Sequence, residues 1–198
     1  IFLKRYSEGL LDKTTLNRNI LTIHEENQLP KHGAFFGAAE IVEGILYCRK
    51  HIYPMALPNS VSHMLSITAL LMRAIRRNQT SSQFQAIDNT NNWSDEGEFF
   101  AFVLTTMDKL LLGIRPEKGQ GQGPINYMSI KSGFMSICAA TPHIMKRRIM
   151  SGYNRTVRNS QSVTLLFDGH YTLDGELYVA KKIQPLTITS KHILRFIQ

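Results

Sequence analysis

SVTLLFDGHYTLDGELYVAKKIQPLTITSKHILRFI, residues 162–197, decides how this chain is read. Apolar runs at 163–167, 171–173, 177–188 and 193–197 are punctuated by Asp168-Gly169 and Asp174-Gly175. Both central residues of a type I′ turn need positive φ, so Asp-Gly between β-prone residues is a strong hairpin signal. The stretch therefore predicts an antiparallel meander turning at both pairs, with Gln184-Pro185 interrupting the third run. Glu176 then opens a returning strand at the lip of a sheet, where a carboxylate can face a cleft. By pattern alone, Asp174-Gly175-Glu176 is an ordinary surface hairpin carrying a solvated glutamate.

Working back from this stretch, residues 16–24 (LNRNILTIH), 33–39 (GAFFGAA), 83–87, 99–112 and 125–130 read as further strands. Gly33 and Gly37 suggest close backbone approach or a bulge. Residues 40–49 read as a short helix, and 61–77 as the clearest one, with Val61, Met64, Leu65, Thr68, Leu71, Met72 and Ile75 on one face. Arg73, Arg76 and Arg77 close its last turn, where cations complement the helix dipole; a phosphate or lipid-headgroup site is the alternative reading. An apolar helix starts at 132–140, and Thr141-Pro142 reads as the cap and first turn of another running to Ser151. Residues 1–15 read as a linker helix leading in, and 16–198 as one domain. Trp93 falls on a polar stretch, where it reads first as a packing plug. The Gly-rich segment 117–124 (EKGQGQGP) is expected to be a flexible loop; it lacks the spacing of a phosphate-binding loop. About eight to ten strands with three or four helices suit a mainly β fold, an antiparallel sandwich carrying helices.

Composition narrows the function classes. A 43% hydrophobic content supports a real core, and no apolar run is long enough to predict a membrane span. The chain opens on Ile1 without a signal-like segment, and a trimmed chain is the expectation. Cys48 and Cys138 lie in apolar neighbourhoods, predicting two buried free thiols and a reducing compartment. The seven histidines are scattered, which gives no zinc-ligand spacing. The net charge of +8 points to an anionic partner. Its densest cluster is Lys146, Arg147, Arg148, Arg155 and Arg158. A solvated face is the plainest reading of it, contact with an acidic membrane surface comes next, and nucleic acid is disfavoured because no recognised motif accompanies it.

Leu173-Asp174-Gly175-Glu176, followed by a strand, Pro185-Leu186-Thr187-Ile188 and a last short strand, resembles the end of the diacylglycerol-kinase-like lipid kinases, which include bacterial lipid kinases and sphingosine kinases. Phe35-Phe36-Gly37 with Gly44, Ile114-Arg115-Pro116 and the helix stop at Gly152 fall in the family's order. The resemblance covers nearly the whole chain and implies the C-terminal, lipid-binding β-sandwich of such a kinase. It implies Glu176 as the base that activates a lipid hydroxyl. ATP and magnesium are implied for the complete enzyme, not for this chain, which lacks the family's Gly-Gly-Asp-Gly-Thr loop; the nucleotide-binding lobe is then a missing N-terminal partner. Where the family has an Asp-Asp-Gly-type stretch linked to a structural magnesium, this chain reads Gly121-Gln122-Gly123, and a neutral amide is a poor magnesium ligand.

The resemblance thus implies part of an ATP-dependent lipid kinase, cytoplasmic and peripheral to the membrane. Its partners would be a lipid substrate and an acidic membrane surface. The rival expectation is a non-catalytic lipid- or membrane-binding module of the same fold.

Overall fold

The computed structural model describes residues 15–47, 50–51, 83–88, 90–110 and 113–197. The expected helix over 61–77, Cys48, the last two residues of the 99–112 run and all of the leading segment but Thr15 lie outside them. β1 (Thr15–His24) is followed by β2 (Lys31–Gly33), β3 (Phe35–Ala39) and α1 (Glu40–Tyr47). β4 (Gln83–Asp88), β5 (Trp93–Thr105), β6 (Arg115–Pro116) and β7 (Ile125–Lys131) lead to α2 (Phe134–Met145). β8 (Arg148–Ile149), β9 (Arg155–Ser160), β10 (Ser162–Leu166), β11 (Gly169–Leu173), β12 (Glu176–Ala180) and β13 (Leu186–Ile197) complete the chain.

Alternation dictates the strands. In β4 Phe84, Ala86 and Asp88 are buried between more exposed neighbours, and in β10 Val163 and Leu165 are. An 11-stranded sheet runs in the order β12-β11-β3-β5-β4-β10-β13-β1-β2, with β7 pairing β5 and carrying β9, while β6 and β8 form a separate parallel pair. β5 holds the two layers together. Its residues 93–98 pair with β4, and its residues from Phe99 to Thr105 pair with β3 and β7. The register shifts between Phe99 and Ala101, just after Gly97 at φ 134°, and such a bulge sharpens the local twist. The expected antiparallel sandwich is therefore one sheet curled over its own core.

That core draws on both layers: Leu21, Ile23, Phe36, Phe84, Phe102, Leu165, Phe167, Tyr171 and Ile188 all belong to it. Phe84 stacks on Phe167 with ring centroids 4.3 Å apart and on Phe102 at 5.8 Å. Truncating such a ring to Ala costs about 3–5 kcal/mol.

Several expectations need correcting. Asp168-Gly169 is not a hairpin. β10 pairs with β4 and β13, whereas β11 pairs with β3 and β12, so the chain changes layers there. The buried Phe167 fills the crossing, and Asp168 accepts the Lys182 backbone N–H at 2.7 Å. The helix expected to start at Thr141-Pro142 and reach Ser151 is instead the last turn of α2, which ends at Met145 with Lys146 as its C-cap. Pro142 lies inside this last turn and has no N–H to donate to the carbonyl four residues back, and the Thr141 hydroxyl bonds back to the Ile137 carbonyl at 2.8 Å. Trp93 opens β5 and packs edge-on against Tyr127 at 4.7 Å, as the packing reading expected. Cys138 is a free thiol, but exposed on α2 rather than buried.

The Gly-rich segment does not behave as a free loop. A Cβ on Gly119 would stand 2.1 Å from the Val157 carbonyl oxygen, on Gly121 2.3 Å from that of Asn159, and on Gly123 2.1 Å from Ser160 backbone. Alternate glycines thus let residues 119–123 lie flat against β9, held by Gly119 N–H to Asn159 Oδ1 at 3.0 Å and Asn159 N–H to the Gln120 carbonyl at 2.9 Å.

Candidate active site

The second Asp-Gly pair is the hairpin the sequence predicts. Asp174 (φ 48°) and Gly175 (φ 94°) both take positive φ, and Leu173 pairs with Glu176 across the turn. The turn is also tied down. Asp174 Oδ1 and Oδ2 accept the Ala34 N–H at 3.1 and 3.0 Å, Oδ1 accepts that of Phe35 at 2.9 Å, and the Asp174 N–H reaches the Phe35 carbonyl at 2.9 Å. Gly33 makes room for it, since a Cβ there would lie 2.6 Å from Leu173 Cδ1. Glu176 therefore begins β12, an end strand of the sheet, from a braced turn, and is exposed.

Residues from two distant stretches, 25–36 and 171–178, meet beside it. Tyr178 lies two residues on, so it shares the face of Glu176, and its hydroxyl donates to Glu176 Oε2 at 2.5 Å. Its ring stacks on Tyr171 (5.3 Å, 22°), and Tyr171 stacks in turn on the buried Phe36 (5.1 Å, 25°). The Tyr171 hydroxyl donates to Glu25 Oε1 at 2.5 Å. Lys31, ion-paired with Glu25 and donating to Gln28 Oε1 at 3.0 Å, holds its ammonium 5.0 Å from the Tyr178 ring centroid. The hydrogen bond to Glu176, then partial burial and the charges of Glu176 and Glu25, push the Tyr178 phenol above its ordinary value. Burial, then Glu25, push the Tyr171 phenol well above it. Both tyrosines are therefore donors at neutral pH, and Glu176 is the surface carboxylate they brace.

Glu176 and Tyr178 obey the strand's period of two, which is the one local signal that could have flagged Tyr178. Tyr171 faces Tyr178 across the same hairpin, whereas Glu25 and Lys31 reach the site only because the sheet curls.

The basic residues part company. Lys146, Arg147 and Arg148 are exposed, and Arg148 pairs with Glu117 at 3.4 Å. Arg155 is only 9% exposed; its Nη1 donates to the Ala139 carbonyl at 2.5 Å and to His143 Nδ1 at 2.7 Å, pinning α2 to β9. Arg158 lies over the Trp93 ring at 4.9 Å. Arg155 thus serves the interior rather than a surface cluster.

Among the described residues, no group of His, Cys, Asp and Glu is arranged to hold a metal ion. At Gly121-Gln122-Gly123, Asn91 Oδ1 already accepts the Gln122 N–H at 3.3 Å, and the glycines press on backbone. That donor set does not fit magnesium. Among the described residues no helix is long and apolar enough to cross a membrane.

No family model and no curated protein sequence matches the chain. Solved structures do. A candidate diacylglycerol kinase from Bacillus anthracis superposes with a TM-score of 0.54 at 14% identity, over 92% of this chain and 56% of its own. A further diacylglycerol kinase structure from that organism gives 0.51 at 11% identity, over 92% and 54%. The chain therefore has the fold of diacylglycerol-kinase-like proteins and spans about half the length of those structures. An NAD kinase from Archaeoglobus fulgidus in complex with ATP aligns at only 0.46 and 8% identity, too low to bear on this chain.

Proposed function

We propose that this chain is the lipid-substrate half of an ATP-dependent lipid kinase, and that Glu176 is its general base. The observation that carries the reading is the placement of Glu176: an exposed carboxylate on an end strand, opened by a braced Asp-Gly turn and hydrogen-bonded to Tyr178. The fold shared with diacylglycerol kinase structures supports it.

In this reading the lipid hydroxyl gives its proton to Glu176 as its oxygen bonds to the γ-phosphorus of ATP, and the bond to the β–γ bridging oxygen breaks, releasing ADP. The nucleotide is held by the lobe expected upstream, because the glycines of residues 119–123 are occupied against β9. This chain orients the lipid and accepts the proton. Lys146, Arg147 and Arg148, with Phe134 at 58% and Tyr153 at 66% exposure nearby in sequence, would meet an acidic membrane surface from the cytoplasmic side.

The poor fit of Gly121-Gln122-Gly123 to a metal favours the second reading, a lipid-binding module without catalysis. Full-length protein incubated with radiolabelled ATP and diacylglycerol in mixed micelles separates the two. Labelled phospholipid, absent with the 198-residue chain alone, supports the kinase. Lipid binding without transfer by the full-length protein supports the module.

A further inference from the structure

We propose that Tyr178 is the positioning residue for the Glu176 carboxylate, an inference whose catalytic half rests on the lipid-kinase reading. A glutamate on an exposed end strand would ordinarily sample several rotamers, whereas proton transfer needs the accepting oxygen held in one place. Here the hydroxyl of Tyr178 holds Oε2 at 2.5 Å, leaving Oε1 to receive the substrate proton.

The tyrosine can do this because two neighbours fix its own ring. Tyr171 stacks against it at 5.3 Å, and the Lys31 ammonium stands 5.0 Å from its centroid. Each of those supports is anchored in turn: Tyr171 by the Phe36 stack and by its bond to Glu25, and Lys31 by Glu25 and Gln28. Rings and hydrogen bonds thus run unbroken from the core at Phe36 to the carboxylate at the rim. The Tyr178 phenol is pushed up chiefly by its bond to Glu176, so it keeps its proton at working pH and acts as a donor, not as a second base.

Tyr178→Phe removes the hydroxyl and keeps the ring and its stacking, so folding should survive. In the full-length protein, assayed with ATP and diacylglycerol in mixed micelles, it should lower kcat about 10- to 100-fold, the range for one hydrogen bond to a charged group. KM for the lipid should be unchanged. In 13Cζ-tyrosine NMR of the same protein, the Tyr178 phenol should titrate above its usual range, and it should fall back in Glu176→Ala. Normal kcat in Tyr178→Phe, with Glu176→Gln inactive, would overturn the positioning role and leave the lipid-kinase reading intact. A raised KM at normal kcat would likewise overturn it and make Tyr178 a lipid contact. Normal turnover in Glu176→Gln would remove the base itself. A Tyr178 titration indifferent to Glu176→Ala would refute the hydrogen bond whatever the enzyme does.

Discussion

Lys31 and Tyr178 stand on the two end strands of the sheet, β2 and β12, yet the Lys31 ammonium lies 5.0 Å from the Tyr178 ring centroid. The curl brings the ends of the strand order together, and the meeting point is where Glu176 sits. Ala34 is the single residue between β2 and β3, so the chain passes at this rim from one end of the sheet to the third strand from the other end. Asp174 caps that passage. Asp174→Ala removes its hydrogen bonds and puts a residue that dislikes positive φ in a type I′ turn. We expect a loss of about 1–2 kcal/mol, discounted for exposure, in urea denaturation.

Flat packing of the Gly-rich segment makes a sharper prediction. Gly119→Ala and Gly123→Ala each place a methyl 2.1 Å from β9 backbone, which must move. Each should destabilise by about 1–3 kcal/mol. Gly175→Ala, whose Cβ would meet nothing within 4 Å, should cost only the strain of its positive φ, about 1 kcal/mol. Thermal melts of the three variants would reveal the order. Equal, small losses at all three would mean that the segment is not seated on β9.

Alkaline pH should weaken the fold. Burial pushes the Tyr127 phenol well above 10.0, with Asp95 adding to it, and Tyr171 is raised in the same sense. In the unfolded chain these phenols lose their protons near 10, while the folded chain keeps them, so stability is full below that pH and falls as pH rises above it. Tyr171→Phe should flatten this alkaline limb in melts taken between pH 9 and 11. Asp88 acts at the other end. Burial alone would raise its carboxyl, but hydrogen bonds from Asn91, Ser160 and the Thr90 backbone outweigh that and leave it below 3.8. Its contribution is present above about pH 4 and is lost as pH falls through the lowered value.

Charge reversal at Lys146, Arg147 and Arg148 should weaken co-sedimentation with acidic vesicles at low salt, with each residue near the surface contributing ~1 kcal/mol. Unchanged co-sedimentation would leave these residues as a solvated face. Arg155→Ala belongs to a different experiment: it should lower stability, because the Ala139 carbonyl and His143 lose their buried partner.

What the sequence made legible was whatever depends on neighbours along the chain. β-prone residues marked β4, β7 and β10, and Asp174-Gly175 marked its turn, because strand propensity and positive φ leave local traces. Asp168-Gly169 carries the same dipeptide signal, but a dipeptide says that the chain turns, not which strand it then pairs with. Partner choice there is set by Phe167 entering the core between the layers. Arg155 read as one more cation in a basic stretch, since nothing local says that it faces the Ala139 carbonyl. Glu176 was found through its resemblance, and Tyr171 follows from the register of the same hairpin, whereas Glu25 and Lys31 were invisible because only the closing of the sheet gathers them.

The most direct measurement is lipid phosphorylation by full-length protein carrying Glu176→Gln, which keeps the shape of the side chain and removes the base. Loss of a positioned general base costs roughly 10²–10⁴ in rate, so turnover should collapse by that factor while the melting temperature and lipid binding stay as in the unaltered protein. Normal turnover in a folded, lipid-binding Glu176→Gln enzyme would contradict the assignment and leave Glu176 an ordinary hairpin residue.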